Sequence, residues 1–257
     1  LLELRARVEG IRALIAKVAW HRDQAEIARH DGSGAESYHA GQIELLTPLA
    51  KSYASDQSFR VCELAIQTLG GAGYMADYGI EQYCRDAKIF SIYEGTNHIQ
   101  AMDLVGRKLG MAGGAHLQSF FADINAFVAE HGAHPELGAE VKQLGAAQEA
   151  LQATTMLLLS WFYGGRLELV PLHANRFLEM MAETTLSWLL LQQAVLGQKK
   201  SAALPEGHRD HEFYAGKLHA ALYFVRNVLP GVKGKADILA REDHSAMRIP
   251  DAAFAQV

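Results

Sequence analysis

Leu4, Val8, Ile11, Ile15 and Val18 recur at alternating steps of four and three, the spacing that sets side chains on one stripe of a helix. This pattern predicts a first helix to about Arg29. Asp31-Gly32-Ser33-Gly34 then breaks the period with residues that favour turns. A second long periodicity runs through Ile43, Leu46, Leu49, Tyr53, Val61 and Leu64, so the two segments read as an antiparallel helical hairpin. Gly70-Gly71-Ala72-Gly73 ends the second helix, an irregular segment follows to about Gly79, and 81–89 reads as one short helix. A loop carrying Tyr93-Glu94-Gly95-Thr96-Asn97 comes next. Thr96 or Asn97 can then cap a helix through about Lys108, because each offers a side-chain oxygen to the free N–H groups of a first turn.

Gly110-Met111-Ala112-Gly113-Gly114-Ala115 is small and uncharged, which places a domain junction there. The expected division is a helical domain over 1–110 and a further helical domain over 116–257. In the latter the pattern predicts helices at about 117–131, 138–163, 173–198 and 211–228, packed as an antiparallel four-helix unit. Phe177, Met180, Leu186, Leu189, Leu190 and Val195 mark one of these as a buried or interface helix, and Tyr214, Leu218, Leu222 and Val225 make a core stripe on the last. Strand-like runs of period two are absent from the sequence, so the fold class is all-α.

Composition narrows the picture. Hydrophobic residues at 49% and charged residues at 21% fit a globular chain with a sizeable core. The net charge of -5 is spread evenly over both halves, and neither half carries the basic excess that a nucleic-acid backbone demands. The most apolar stretch, 156–165, is about half the length of a membrane-spanning helix. Cys62 and Cys84 form no C-x-x-C pattern, so neither a disulfide framework nor a zinc site is suggested, and a reducing cytoplasm is the simplest compartment. His131-x-x-His134 and His208-x-x-His211 lack a third ligand, so no metal site is expected. The chain begins Leu1-Leu2-Glu3-Leu4-Arg5, inside an amphipathic helix, and reads as a fragment.

By spacing alone, Tyr93-Glu94-Gly95-Thr96 offers a loop carboxylate, a glycine that allows close approach and a helix start. Such an arrangement can position a base, and it equally describes a solvated glutamate before a cap. The Gly70–Gly73 run is no Rossmann fingerprint, since no strand precedes it and the G-x-G-x-x-G spacing is absent. Three ordered blocks add the specificity: Gln67-Thr68-Leu69-Gly70-Gly71-Ala72-Gly73-Tyr74, Arg85-Asp86-Ala87-Lys88-Ile89 and Ile92-Tyr93-Glu94-Gly95-Thr96-Asn97. Together they closely resemble, in order and separation, blocks of the acyl-CoA dehydrogenases, and the resemblance covers about residues 1 to 110. From about 116 onward the chain resembles the additional C-terminal helical domain of a long subgroup that includes the 3-methylmercaptopropionyl-CoA enzymes. The best match there is His211-Glu212-Phe213-Tyr214-Ala215-Gly216-Lys217 through Phe224, Leu229 and Pro230.

The resemblance implies that Glu94 is the base that removes the α-proton of an acyl-CoA thioester while the β-hydrogen leaves as hydride to FAD. It implies that the Glu94 main-chain N–H also polarises the thioester carbonyl, and that Gly95 lies against the thioester. An exposed glutamate is a weak base, and burial beside an apolar acyl chain would strengthen it. Thr96, Asn97 and His98 take positions that line the flavin and its diphosphate. His98 departs from the commoner acidic or amide residue. Gln67, Thr68, Leu69, Gly70 and Gly71 resemble the segment that reaches a partner subunit's FAD, which implies at least a homodimer. Arg85 and Asp86 are expected to hold the short helix by an ion pair, without a catalytic role. Electron-transfer flavoprotein is the implied acceptor. An acyl-CoA oxidase and a catalytically idle helical relative are the alternatives.

Overall fold

The computed structural model describes residues 1–255, and among them the secondary structure is helical throughout, without a strand. Helix α1 spans Leu2–Asp31 and α2 spans Glu36–Leu69. Gly32 takes the left-handed conformation at φ 67°, and its N–H donates to Ala28 O at 3.1 Å. This C-terminal arrangement suits glycine, which has no Cβ to collide. The Asp31 carboxylate accepts from Ser33 N at 2.9 Å, and the tight turn sends α2 back along α1. Pro48 lies inside α2 and is buried, yet the helix continues through it.

The face that α1 buries differs from the stripe expected. Ala6, Gly10, Leu14, His21, Ala25 and Ala28 are buried, whereas Val8 is 38% and Ile15 52% exposed. The physical reason is close helix packing. A Cβ built on Gly10 would lie 3.0 Å from Leu186 Cδ2, so the seam uses small residues where helices approach, and the larger aliphatic side chains flank it.

Two short elements follow α2, namely α3 (Gly71–Tyr74) and α4 (Ile80–Lys88), and then the loop to α5 (Asn97–Gly106). The expected junction is a short 3-10 segment over Lys108–Gly114, kinked at Met111, Ala112 and Gly113. Beyond it lie α6 (Ala115–His131), α7 (Gly138–Tyr163), α8 (Leu169–Ala202) and α9 (Asp210–Asn227), close to the helices expected from periodicity. The additional helix α10 (Gly231–Leu239) and the single turn α11 (Ser245–Arg248) complete the order.

Helix α8 organises the packing. It lies against α7, α9 and α10, and equally against α1, α2 and α5, so one hydrophobic core runs through both stretches. Phe177, Met180, Leu186 and Leu190 are fully buried on α8, as their pattern predicts. Val225 is buried on α9, and Leu218 and Leu222 pack against the core. No described helix is long and apolar enough to cross a membrane.

Candidate active site

The site is built around the end of α2 and the start of α5. Gly70 closes α2 at φ 61° and ψ -143°, a region open essentially to glycine. Its N–H donates to Gln67 O at 3.2 Å, and Thr68 Oγ1 donates to Leu64 O at 2.8 Å. Gln67, Thr68, Leu69, Gly70 and Gly71 are all exposed, so this segment faces away from the chain's own core. Gly73 is the packed member of the run, since a Cβ there would lie 2.5 Å from Ile66 O.

Helix α4 holds itself together with an ion pair between Arg85 Nη2 and Glu81 Oε2 at 2.9 Å. Arg85 thus pairs one turn back, not with Asp86, and Ala87 packs inward. The loop beyond it is pinned early, with Ile92 N and Tyr93 N both donating to Ile89 O at 2.9 and 3.1 Å. Glu94 then adopts φ 55° and Gly95 φ 81°. A left-handed non-glycine residue is uncommon and costs roughly 1–2 kcal/mol, and two successive positive φ values turn the chain sharply into α5. Thr96 is the N-cap, its Oγ1 accepting from Ile99 N at 3.3 Å. Asn97 is therefore the first helical residue.

The side chains around this loop divide by partner. Asn97 faces α2: its Oδ1 accepts from Lys51 Nζ at 2.9 Å and its Nδ2 donates to Ser52 O at 3.1 Å. Lys51 Nζ also donates to Phe90 O at 2.9 Å. With its amide so engaged, Asn97 has its main-chain N–H to offer a ligand. His98 instead meets α8, with Nδ1 3.2 Å from Asn175 Oδ1. Sequence reading missed Lys51, Ser52 and Asn175, and no local signal marks them, because they lie 46, 45 and 77 positions from their partners.

Glu94 is exposed, and Ile92, Tyr93 and Ile99 beside it are 55%, 51% and 57% exposed. The apolar cover expected of a strong carboxylate base therefore does not come from this chain's own packing. Among the described residues the Glu94 N–H has no acceptor within the chain. Three features at the start of α5 fit an anionic group such as a cofactor phosphate: the first two N–H groups of the helix, at Asn97 and His98, the cap hydroxyl of Thr96 and the exposed His98 imidazole.

Other candidates resolve into structural roles. His134 Nδ1 accepts from Glu136 N and Leu137 N, both at 3.3 Å, and His208 Nδ1 accepts from Asp210 N at 3.2 Å. These rings cap chain turns. Cys62 and Cys84 are free. A cavity of about 790 Å³ lies between α7 and α10, lined by Ala146, Ala150, Leu157, Leu229 and Ala236, and no residue of the Glu94 loop borders it.

The sequence pattern described as "Acyl-CoA dehydrogenase, C-terminal domain" matches residues 1–110, and that described as "Acetyl-CoA dehydrogenase C-terminal like" matches residues 120–250. The chain belongs to the acyl-CoA dehydrogenase family. A butyryl-CoA dehydrogenase of Syntrophomonas wolfei is 34% identical over 256 residues, 99% of this chain and 41% of that protein. A 3-methylmercaptopropionyl-CoA dehydrogenase of Ruegeria pomeroyi is 33% identical over 238 residues, 89% of this chain and 38% of the relative. This acyl-CoA dehydrogenase chain thus spans about two fifths of the length of these relatives. The crystal structure of Caenorhabditis elegans ACDH-11 in complex with C11-CoA shares the fold at a TM-score of 0.65 and 20% identity, covering 90% of this chain and 37% of that one.

Proposed function

We propose that the protein to which this chain belongs performs FAD-dependent α,β-dehydrogenation of an acyl-CoA thioester, giving a trans-2-enoyl-CoA, with Glu94 as the base. The observation that carries this reading is the Glu94–Gly95 turn at successive positive φ, which presents a carboxylate and a free N–H together at the mouth of α5.

FAD, when bound, supplies the acceptor for the β-hydrogen as hydride. Every other duty falls to residues. The Glu94 carboxylate takes the α-proton. Its own N–H donates to the thioester carbonyl, and that polarisation makes the α-proton acidic enough to remove. Gly95, lacking a side chain, leaves room for the thioester. Thr96, His98 and the first N–H groups of α5 hold the cofactor's phosphates. The exposed Gln67–Gly71 segment reaches the cofactor of a second subunit, which makes the working unit a homodimer or larger. Electron-transfer flavoprotein would be the partner that takes up the electrons.

Anaerobic titration of the full-length, FAD-loaded protein with acyl-CoA thioesters of graded length tests this reading. Flavin absorbance bleaches with at least one thioester, and Glu94→Gln retains FAD while bleaching slows by roughly 10²–10⁴-fold, the range for loss of a general base. Undiminished bleaching in Glu94→Gln removes Glu94 from the role, and rapid peroxide formation in air reassigns the protein as an oxidase.

A further inference from the structure

Lys51 lies half-buried on α2, and its ammonium reaches both ends of the loop that carries Glu94. Nζ donates to Phe90 O and to Asn97 Oδ1, each at 2.9 Å. These acceptors lie four residues before and three residues after Glu94. Asn97 closes the arrangement from its side, since Nδ2 donates to Ser52 O at 3.1 Å and Asn97 O accepts from Ser52 Oγ at 3.5 Å. A single turn of α2 therefore grips the start and the finish of the loop.

The chemistry suits the task. A lysine ammonium carries three N–H donors and no acceptor, and bonds made by a charged donor are about twice as strong as neutral ones. Between the two gripped points stand Glu94 at φ 55° and Gly95 at φ 81°. Glycine reaches such values freely, but for Glu94 this sparsely populated backbone persists only where the surroundings over-determine it. Inside the loop, the Glu94 side chain is exposed, so the turn cannot be credited to packing of that side chain. Local bonds hold each end of the loop, Ile92 N and Tyr93 N to Ile89 O and Ile99 N to Thr96 Oγ1, and Lys51 ties the two ends to each other through Phe90 and Asn97.

We propose that Lys51 is a positioning residue, fastening both ends of the Glu94 loop so that the carboxylate and the Glu94 N–H keep the geometry the reaction needs. This inference rests on the reading of Glu94 as the base. Misplacement of a reacting group by about 1 Å can cost on the order of 10²-fold in rate, which sets the scale of the expected effect.

The test uses the full-length, FAD-loaded enzyme. Lys51→Met retains its circular dichroism and FAD, loses about 10–100-fold in kcat, and changes KM for acyl-CoA by less than about threefold, the signature of an interaction that matters in the transition state. Amide hydrogen exchange over 89–97 accelerates, while exchange in α1 stays as in the parent. Lys51→Arg, which keeps a charged donor, recovers part of the kcat lost in Lys51→Met. Native kcat and native exchange over 89–97 in Lys51→Met overturn the proposal. Should that variant fail to fold, Asn97→Ala removes one acceptor of the pair, and unchanged exchange over 94–97 in it is equally decisive against. Glu94→Gln separates the two failures: if it stays active the base is misassigned, whereas the exchange readout still reports on Lys51.

Discussion

The Nδ1 atoms of His21 and His39 lie 2.9 Å apart, joining α1 to α2 through two imidazoles that are both buried. One ring must donate and the other accept, so the contact needs at least one neutral ring. Tyr38 and Trp20 pack edge-on against the pair. Burial foremost, then the charge of Lys17 and then His39, hold the His21 imidazolium down, to a pKa of about 3. His39 is lowered by burial and by Lys17, with Asp123 of α6 opposing; the Asp123 carboxylate accepts from Tyr38 OH at 2.6 Å.

The sign of the pH dependence follows. A histidine whose folded value lies below its unfolded value binds its proton more readily when unfolded, so stability is full above about pH 6.5 and is lost as pH falls towards 3. The loss is on the order of 2–4 kcal/mol across that window. Urea unfolding of the chain at several pH values measures it. His21→Phe should flatten the slope between pH 6.5 and 4, and an unaltered slope means that other groups carry it.

A second buried charge joins α8 to α10. Glu183 receives both of its bonds from Lys235 Nζ, at 2.7 and 2.8 Å, and burial pushes its carboxyl above the usual range while Lys235 opposes. Lys235→Met leaves that carboxylate without its partner and should cost roughly 2–4 kcal/mol in urea unfolding. Because the folded-state value is raised, the deficit should shrink in acid and grow as pH rises past the carboxylate range. Glu183→Gln combined with Lys235→Met should recover much of the loss, and a purely additive double variant would deny the coupling.

Gly95→Ala tests the turn itself. At φ 81° an added Cβ is strained whatever the space, and it would also lie 3.3 Å from Gln100 Nε2. The substitution should lower kcat of the FAD-loaded enzyme by about 10²-fold through displacement of Glu94, with a stability change of only about 1–2 kcal/mol. Equal activity in the alanine variant would show that the turn tolerates another conformation.

Much of this protein was settled by short-range sequence. Gly32 and Gly70 ended α1 and α2 where expected, because a left-handed or otherwise glycine-specific terminus is a property of one residue and its near neighbours. The helices α6, α7 and α9 follow periodicity within a few residues for the same reason. The order of the Gln67, Arg85 and Glu94 blocks, and Thr96 as one of two possible caps, could likewise be read along the chain. Tertiary structure decided the rest. Which face of α1 is buried depends on how near α8 comes, and Gly10 against Leu186 settles it in favour of small residues over the aliphatic stripe. The partners of the candidate site, Lys51 and Ser52 for Asn97 and Asn175 for His98, are set by where α2 and α8 cross the start of α5. Periodicity marks a segment as helix, but only close packing between helices fixes which of its faces is buried and which distant side chains meet.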